Sequence, residues 1–172
     1  FVEGHSDDNT WSEIIRVIGL NPSMDIKAIQ QSGVGKGNAV REGFQKAKGY
    51  VLMILDADLT VAPEDLPKFY AEIASGRGEY INGSRLVYSM ESEAMRFLNY
   101  LANRSFASIF SFLLNQSYSD TLCGTKVIGR KHYEKLIGGR PYFGDFDPFG
   151  DFDLIFGATK LNLKISEVPI RY

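Results

Sequence analysis

The chain has 172 residues, 44% hydrophobic and 23% charged, which is ordinary globular composition and enough length for one domain with a real core. Its formal net charge of -2 offers no global basic field for nucleic acid, and no apolar run of the roughly 18 uncharged residues needed to span a membrane occurs. A single cysteine, Cys123, excludes an internal disulfide and suits a reducing compartment.

Phe1-Val2-Glu3 reads as the tail of a strand already under way, followed by a polar turn through Thr10. Asp8, Asn9 or Thr10 can cap a helix over Trp11 to Ile18, which stops at Gly19 and Asn21-Pro22. Asp25 to Gln30 is a short strand, Gln31 to Asn38 a glycine-rich turn, and Ala39 to Lys48 a helix closed by Gly49. Val51 to Leu55 is a buried strand ending in Asp56-Ala57-Asp58. Pro63, Glu64 and Asp65 open a helix to about Ser75. Glu79 to Gly83 is a strand, Ser92 to Leu114 a long helix, and Leu122 to Gly129 a strand. Lys131 to Ile137 is a helix, Pro141 to Asp153 an acidic aromatic loop, Leu154 to Leu161 a helix and Lys164 to Ile170 a last strand. Alternating strands and helices predict an α/β domain with a mostly parallel sheet flanked by helices. There is no initiator Met, and Ile170-Arg171-Tyr172 follows directly on a strand-like run. The sequence therefore reads as one domain, 1–172, truncated at both ends.

Asp56 and Asp58 sit one residue apart at a strand's carboxyl end, where open α/β sheets place their ligands. Two carboxylates this close repel unless a cation lies between them, and a hard divalent cation bridging to phosphate fits. The plainer alternative is a strand cap and a turn before Pro63. Gly35-Lys36-Gly37 precedes a helix, so its amides and lysine can hold an anion, or it is simply a turn. Arg85, after Gly83-Ser84, can grip a phosphate with two N–H groups, or it is a surface arginine. Arg96, Asn99 and Asn103 form one polar stripe on the long helix, facing either a charged substrate or solvent. Its apolar residues pack on the sheet or press on a membrane surface. Asp145, Asp147, Asp151 and Asp153 lie among phenylalanines, a setting that can raise a carboxylate toward the range of a useful base. His5 and His132 have no partner at metal-ligand spacing, and Cys123 reads as a small core residue.

Taken together, FVEGHSDDNT, GKGNAVREGF, VLMILDADLT with PEDLP, NGSR, DTLCGTK, GDFD with its following helix, and ISEVPIRY resemble the family 2 glycosyltransferases with the GT-A (Rossmann-like) fold. The pattern is most similar to the dolichol-phosphate mannose synthase and polyprenyl-phosphate glycosyltransferase branch. The resemblance implies that Asp56 and Asp58 hold Mg2+ or Mn2+ and the diphosphate of a nucleotide sugar. It places Glu3 in the first acidic motif and Lys36 near the nucleotide. Arg85 falls near the phosphates or the acceptor phosphate, and Arg96 on the helix facing the acceptor. Asp151 and Asp153 fall where other members place a catalytic base. Gly4 stands where many members have a second acid, and Thr60 where the mannose synthases commonly have Gln.

The function implied is metal-dependent, inverting transfer of a hexose from a GDP- or UDP-sugar to an acceptor, a polyprenyl (dolichyl-type) phosphate. A lipid phosphate is already ionised and needs cations such as Arg85 and Arg96. A sugar hydroxyl, the alternative acceptor in polysaccharide or cell-envelope synthesis, needs a base such as Asp153 or Asp151. A nucleotidyltransferase and an inactive nucleotide-sugar binding fragment are the other readings. The resemblance implies a cytoplasmic enzyme, at the cytoplasmic face of a membrane in the full-length protein. The resemblance also implies that the family's N-terminal strand is missing here, and a missing strand leaves an unpaired edge, so homo-oligomers are expected, formed by strand exchange.

Overall fold

A computed structural model of the chain describes residues 1–85, 94–139 and 150–170, and for 94–100 and 151 it describes the backbone alone. Two compact units emerge, one carrying Phe1–Lys48 and the other beginning at Gly49.

In the first unit, β1 (Val2–Glu3) pairs in parallel with β2 (Ile29–Gln30). Helix α1 (Thr10–Leu20) starts after a turn in which the Thr10 N–H donates to Asp8 Oδ1 at 2.9 Å. Helix α2 (Lys36–Lys46) begins three residues earlier than the sequence predicts. Gly35 is the reason: at φ 84° it lies in the left-handed region, so the chain turns there and helix starts at Lys36. Ala47, not Gly49, follows the last turn. α2 packs tightly on β1, because a Cβ on Gly43 would sit 3.1 Å from Val2 Cγ2.

The second unit is a four-stranded sheet in the order β3-β5-β4-β6. Its strands are β3 (Val51–Met53), β4 (Tyr80–Ser84), β5 (Lys126–Gly129) and β6 (Ile165–Pro169). β4 and β6 are parallel, and β5 runs antiparallel to both β3 and β4. Three strands thus point one way and β5 points back. The helices are α3 (Leu66–Ala74), entered through a single turn of 3-10 helix at Pro63–Asp65, then α4 (Ala94–Leu114), α5 (Arg130–Gly138) and α6 (Asp151–Lys160).

Period-two alternation sorts the sheet. Ile81 and Val127 are paired across β4 and β5 and join Val61, Phe69, Cys123, Val168 and Ile170 in one buried cluster, which α3 completes through Phe69. The alternate positions carry a polar row. Lys126, Asn82 and Glu167 are successive cross-strand partners, and Lys126 and Asn82 are fully buried. The Lys126 ammonium is satisfied by the Cys123 carbonyl. α4 meets α6 through Phe110, whose ring lies 5.4 Å from Phe152 and 5.7 Å from Phe156. Leu101, Phe106, Ile109, Phe112 and Leu113 on α4 are exposed. Among the described residues, no helix is long and apolar enough to cross a membrane.

Besides α2, several boundaries differ from the sequence reading, among them the start of β2, which is Ile29 and not Asp25, and three of the differences have a clear local reason. β3 ends at Met53 because the chain turns at Asp56, whose carbonyl accepts the Leu59 N–H at 3.1 Å. β5 starts at Lys126 rather than Leu122 because the Leu122 N–H turns back onto Asp120 Oδ1 at 3.0 Å. α6 starts at Asp151 rather than Leu154, so Asp151 and Asp153 lie in its first turn, where the helix dipole favours negative charge.

Candidate active site

The reversal of β5 builds the site. β3 and β4 run in one direction and end at the same edge of the sheet. β5, lying between them, begins at that edge. Two bonds tie the three segments: Ile54 N–H to the Lys126 carbonyl and Gly83 N–H to the Thr125 carbonyl, both at 3.0 Å. The turn after β3, the arginine after β4 and the loop before β5 are thereby brought to one rim. They line a cavity of about 190 Å³ whose walls include Asp56, Asp58, Thr60, Arg85, Cys123 and Thr125.

The Asp56 to Thr60 turn is tight. Leu59 sits at φ 53°, a conformation a leucine adopts at a cost. Asp58 Oδ1 accepts the Thr60 N–H at 3.0 Å, so Asp58 does shape the turn. Asp58 also lines the cavity, so the structural and ligand-binding readings of this residue are compatible. Among the described residues no group of three or more His, Cys, Asp or Glu gathers into a metal cage. The fit for a cation is of another kind: two aspartates on one turn, both lining the cavity. That donor set suits a hard divalent ion that completes its shell with phosphate oxygens and water.

Among the described residues lining the cavity, Arg85 is the cation, and it is held. Its Nε donates to Asp120 Oδ2 at 2.8 Å and its Nη2 to Asp120 Oδ1 at 3.1 Å. Its backbone N–H donates to the same carboxylate at 3.1 Å. The side chain of Asp120 is fully buried and that of Arg85 is 21% exposed. Burial alone would raise the Asp120 pKa, but the Arg85 guanidinium and the Arg85 and Leu122 amides outweigh it and hold the carboxyl below its usual range. Cys123 lines the same cavity, and burial pushes its thiol up against the smaller pull of Thr125 and Lys126.

Asp120 is the residue the sequence reading missed. It lies 35 residues from Arg85, so no local pattern joins them. The one available signal was its place at the head of Asp120-Thr121-Leu122-Cys123-Gly124, a turn sequence ahead of an apolar strand. The other predicted residues fall as follows. Glu3, on β1 in the first unit, is buried, accepting Ser6 N–H at 2.6 Å and Gln30 Nε2 at 3.0 Å. Those bonds, the Ser6 amide foremost, bring its pKa down to about 2. Lys36 is the first residue of α2 in that unit. Arg96 and Asn99 lie on α4, but their side chains fall outside the described residues, as does the side chain of Asp151. Asp153 is half-buried in the first turn of α6, and Asp145 and Asp147 lie outside the described residues.

Residues 1–137 match the family profile described as glycosyl transferase family 2. A dolichyl-phosphate hexose transferase of Haloferax volcanii is 32% identical over 167 residues, covering 97% of this chain and 66% of that protein. A dolichyl-phosphate beta-glucosyltransferase of Dictyostelium discoideum is 25% identical over 177 residues, covering 99% of this chain and 53% of the relative. The glycosyltransferase AglJ of Haloferax volcanii is 29% identical over 173 residues, covering 99% and 52%. The chain thus spans between about half and two thirds of the length of these relatives.

Proposed function

The chain belongs to glycosyl transferase family 2, and on that footing we propose that it transfers a hexose from a nucleoside diphosphate sugar to a polyprenyl phosphate. The observation that carries this reading is the shared rim. Two aspartates and one arginine, whose guanidinium is bonded to Asp120, line a single cavity, the set that diphosphate chemistry calls for. The names of two relatives, both dolichyl-phosphate hexose-type transferases, support the lipid-phosphate acceptor.

In this reading Asp56 and Asp58 would hold Mg2+ or Mn2+, which when bound supplies positive charge to offset that growing on the leaving diphosphate. Arg85 donates N–H groups to phosphate oxygen and fixes its direction. The acceptor oxygen attacks the anomeric carbon from the face opposite the leaving group, which inverts that centre. The ring passes through an oxocarbenium-like state, as in glycoside hydrolysis. A phosphate acceptor is ionised before it arrives, so no residue has to remove a proton from it. Asp153→Asn should accordingly keep its rate with a lipid phosphate, and it should lose rate only if the acceptor is a sugar hydroxyl. A lipid-borne acceptor implies work at a membrane surface.

Calorimetric titration of UDP and GDP, with and without Mn2+, tests the donor half of this reading. Binding should need the metal and should weaken at least about tenfold in Asp56→Asn and Asp58→Asn, as loss of a metal-site contact does. Metal-independent binding of equal strength in all three proteins would remove the carboxylates from the site. Product analysis tests the reaction class: with a short polyprenyl phosphate, a nucleoside diphosphate should be released. Release of pyrophosphate would instead indicate nucleotidyl transfer.

A further inference from the structure

We propose that Asp120 is a positioning residue that presets the Arg85 guanidinium for a phosphate group. This rests on the reading of Arg85 as a phosphate contact given above. Four donors converge on the Asp120 carboxylate: Arg85 Nε at 2.8 Å, Arg85 Nη2 at 3.1 Å, the Arg85 N–H at 3.1 Å and the Leu122 N–H at 3.0 Å. The loop bearing Asp120 is itself anchored. Its carbonyl accepts Asn82 Nδ2 from β4, and that amide also reaches Glu167 Oε1 on β6 at 3.3 Å. Glu167 Oε1 in turn accepts the Ser119 N–H at 2.8 Å. Strands β4 and β6 therefore fix the loop, the loop fixes the carboxylate, and the carboxylate fixes the plane of the guanidinium.

The arrangement has a specific consequence for binding. A loose surface arginine loses side-chain freedom when it grips a ligand, whereas one already held by two in-plane bonds lost that freedom on folding. The pairing also offsets the charge of Arg85, so a phosphate is recognised by the direction of the guanidinium more than by net attraction. Three motifs far apart in the chain, Asn82-Gly83-Ser84-Arg85, Asp120 to Lys126 and Ile165 to Ile170, serve this one orientation.

The test varies distance at constant charge. Asp120→Glu keeps the negative charge and moves the carboxylate by one methylene. Binding of two probes, inorganic pyrophosphate with Mn2+ and citronellyl phosphate, is measured by calorimetry for wild type, Asp120→Glu, Arg85→Ala and the double variant. The first probe reports a diphosphate role for Arg85, the second an acceptor role. Asp120→Glu should weaken at least one probe by about tenfold or more, and the same change should cost less than about twofold once Arg85 is alanine. Wild-type affinity in Asp120→Glu, beside weakened binding in Arg85→Ala, overturns this proposal alone. Equal losses in both backgrounds show that Asp120 acts through the fold and also overturn it. Unchanged binding in Arg85→Ala removes the phosphate reading of Arg85 itself, and the proposal with it. Should Asp120→Glu not fold, Asp120→Asn keeps the shape and removes the charge. The Arg85 Nε–H resonance, assigned by its absence in Arg85→Ala, should then exchange with water at least about tenfold faster than in wild type. Unchanged exchange refutes the preset.

Discussion

Replacing Gly83 by alanine should both destabilise the second unit and disturb the cavity. An ideal Cβ at this position would lie 2.6 Å from Cys123 Sγ, 3.3 Å from the Thr125 carbonyl oxygen and 3.4 Å from Phe69 Cζ. Good van der Waals contact needs about 3.5–4.0 Å, so the sulfur is too close by about 1 Å. The Thr125 oxygen cannot retreat, because it accepts the Gly83 N–H at 3.0 Å. Cys123 is 1% exposed and packed within the buried cluster, so it has little room to move. Gly83 is not among the positive-φ glycines, so the cost is steric and not conformational. Overpacking of this kind costs about 1–3 kcal/mol. In a chain of this size that corresponds to a fall in melting temperature of roughly 2–12 °C. Urea unfolding should show the midpoint fall with an unchanged slope. Cys123→Ala removes the obstructing sulfur, so the Gly83→Ala/Cys123→Ala protein should be more stable than the sum of the single losses by about 1 kcal/mol or more. Additivity within about 0.5 kcal/mol would refute the account, since uncoupled sites add to that precision. Cys123 and Thr125 also line the cavity, so weaker nucleotide binding in Gly83→Ala should recover with Cys123→Ala.

Leu59→Asn should stabilise by about 0.5–1 kcal/mol in urea unfolding, because asparagine tolerates the left-handed conformation and this leucine is 57% exposed at φ 53°. A loss of stability would mean that the leucine side chain matters more than the turn. Glu3 is ionised in the fold down to about pH 2, below its usual value of 4.5, so its stabilisation is present above that usual value and lost as pH falls toward 2. The stability gap between wild type and Glu3→Gln should therefore close between those limits, and a gap that widens on acidification would contradict the bonding described. Phe69→Ala removes a fully buried ring from the cluster it shares with Ile81 and Val127 and should cost about 3–5 kcal/mol, with a loss below about 1 kcal/mol counting against its place there.

Much of the site could be read from the chain because its signals are local. Asp56-Ala57-Asp58 closes an apolar run, and Gly83-Ser84-Arg85 closes another, so strand ends and charged residues were visible within a few positions of each other. The order of strands and helices followed from periodicity in the same way. Strand direction did not, because alternation looks the same along a strand whichever way it runs. The reversal of β5 was therefore hidden, as was its consequence, that the loop before β5 becomes a wall of the site. Helix starts were misjudged where a special residue decided them. Gly35 set the start of α2 through its positive φ, and acids favoured by the dipole set that of α6.

What was least visible in the sequence has the most bearing on how the site is built. Arg85 and Asp120 are 35 residues apart, and Asn82 and Glu167 are 85 apart, yet all four belong to one connected hydrogen-bond network. Only the sheet order explains this. β4 lies between β5 and β6, so a side chain in its middle reaches both neighbours, and the residue at its end meets the loop that enters β5. A cation at a strand end is cheap to place, because any arginine there reaches the rim. A cation in a fixed plane requires a buried carboxylate opposite it and an anchored loop beneath that carboxylate. The antiparallel β5 supplies both, since it delivers the start of one strand to the ends of two others.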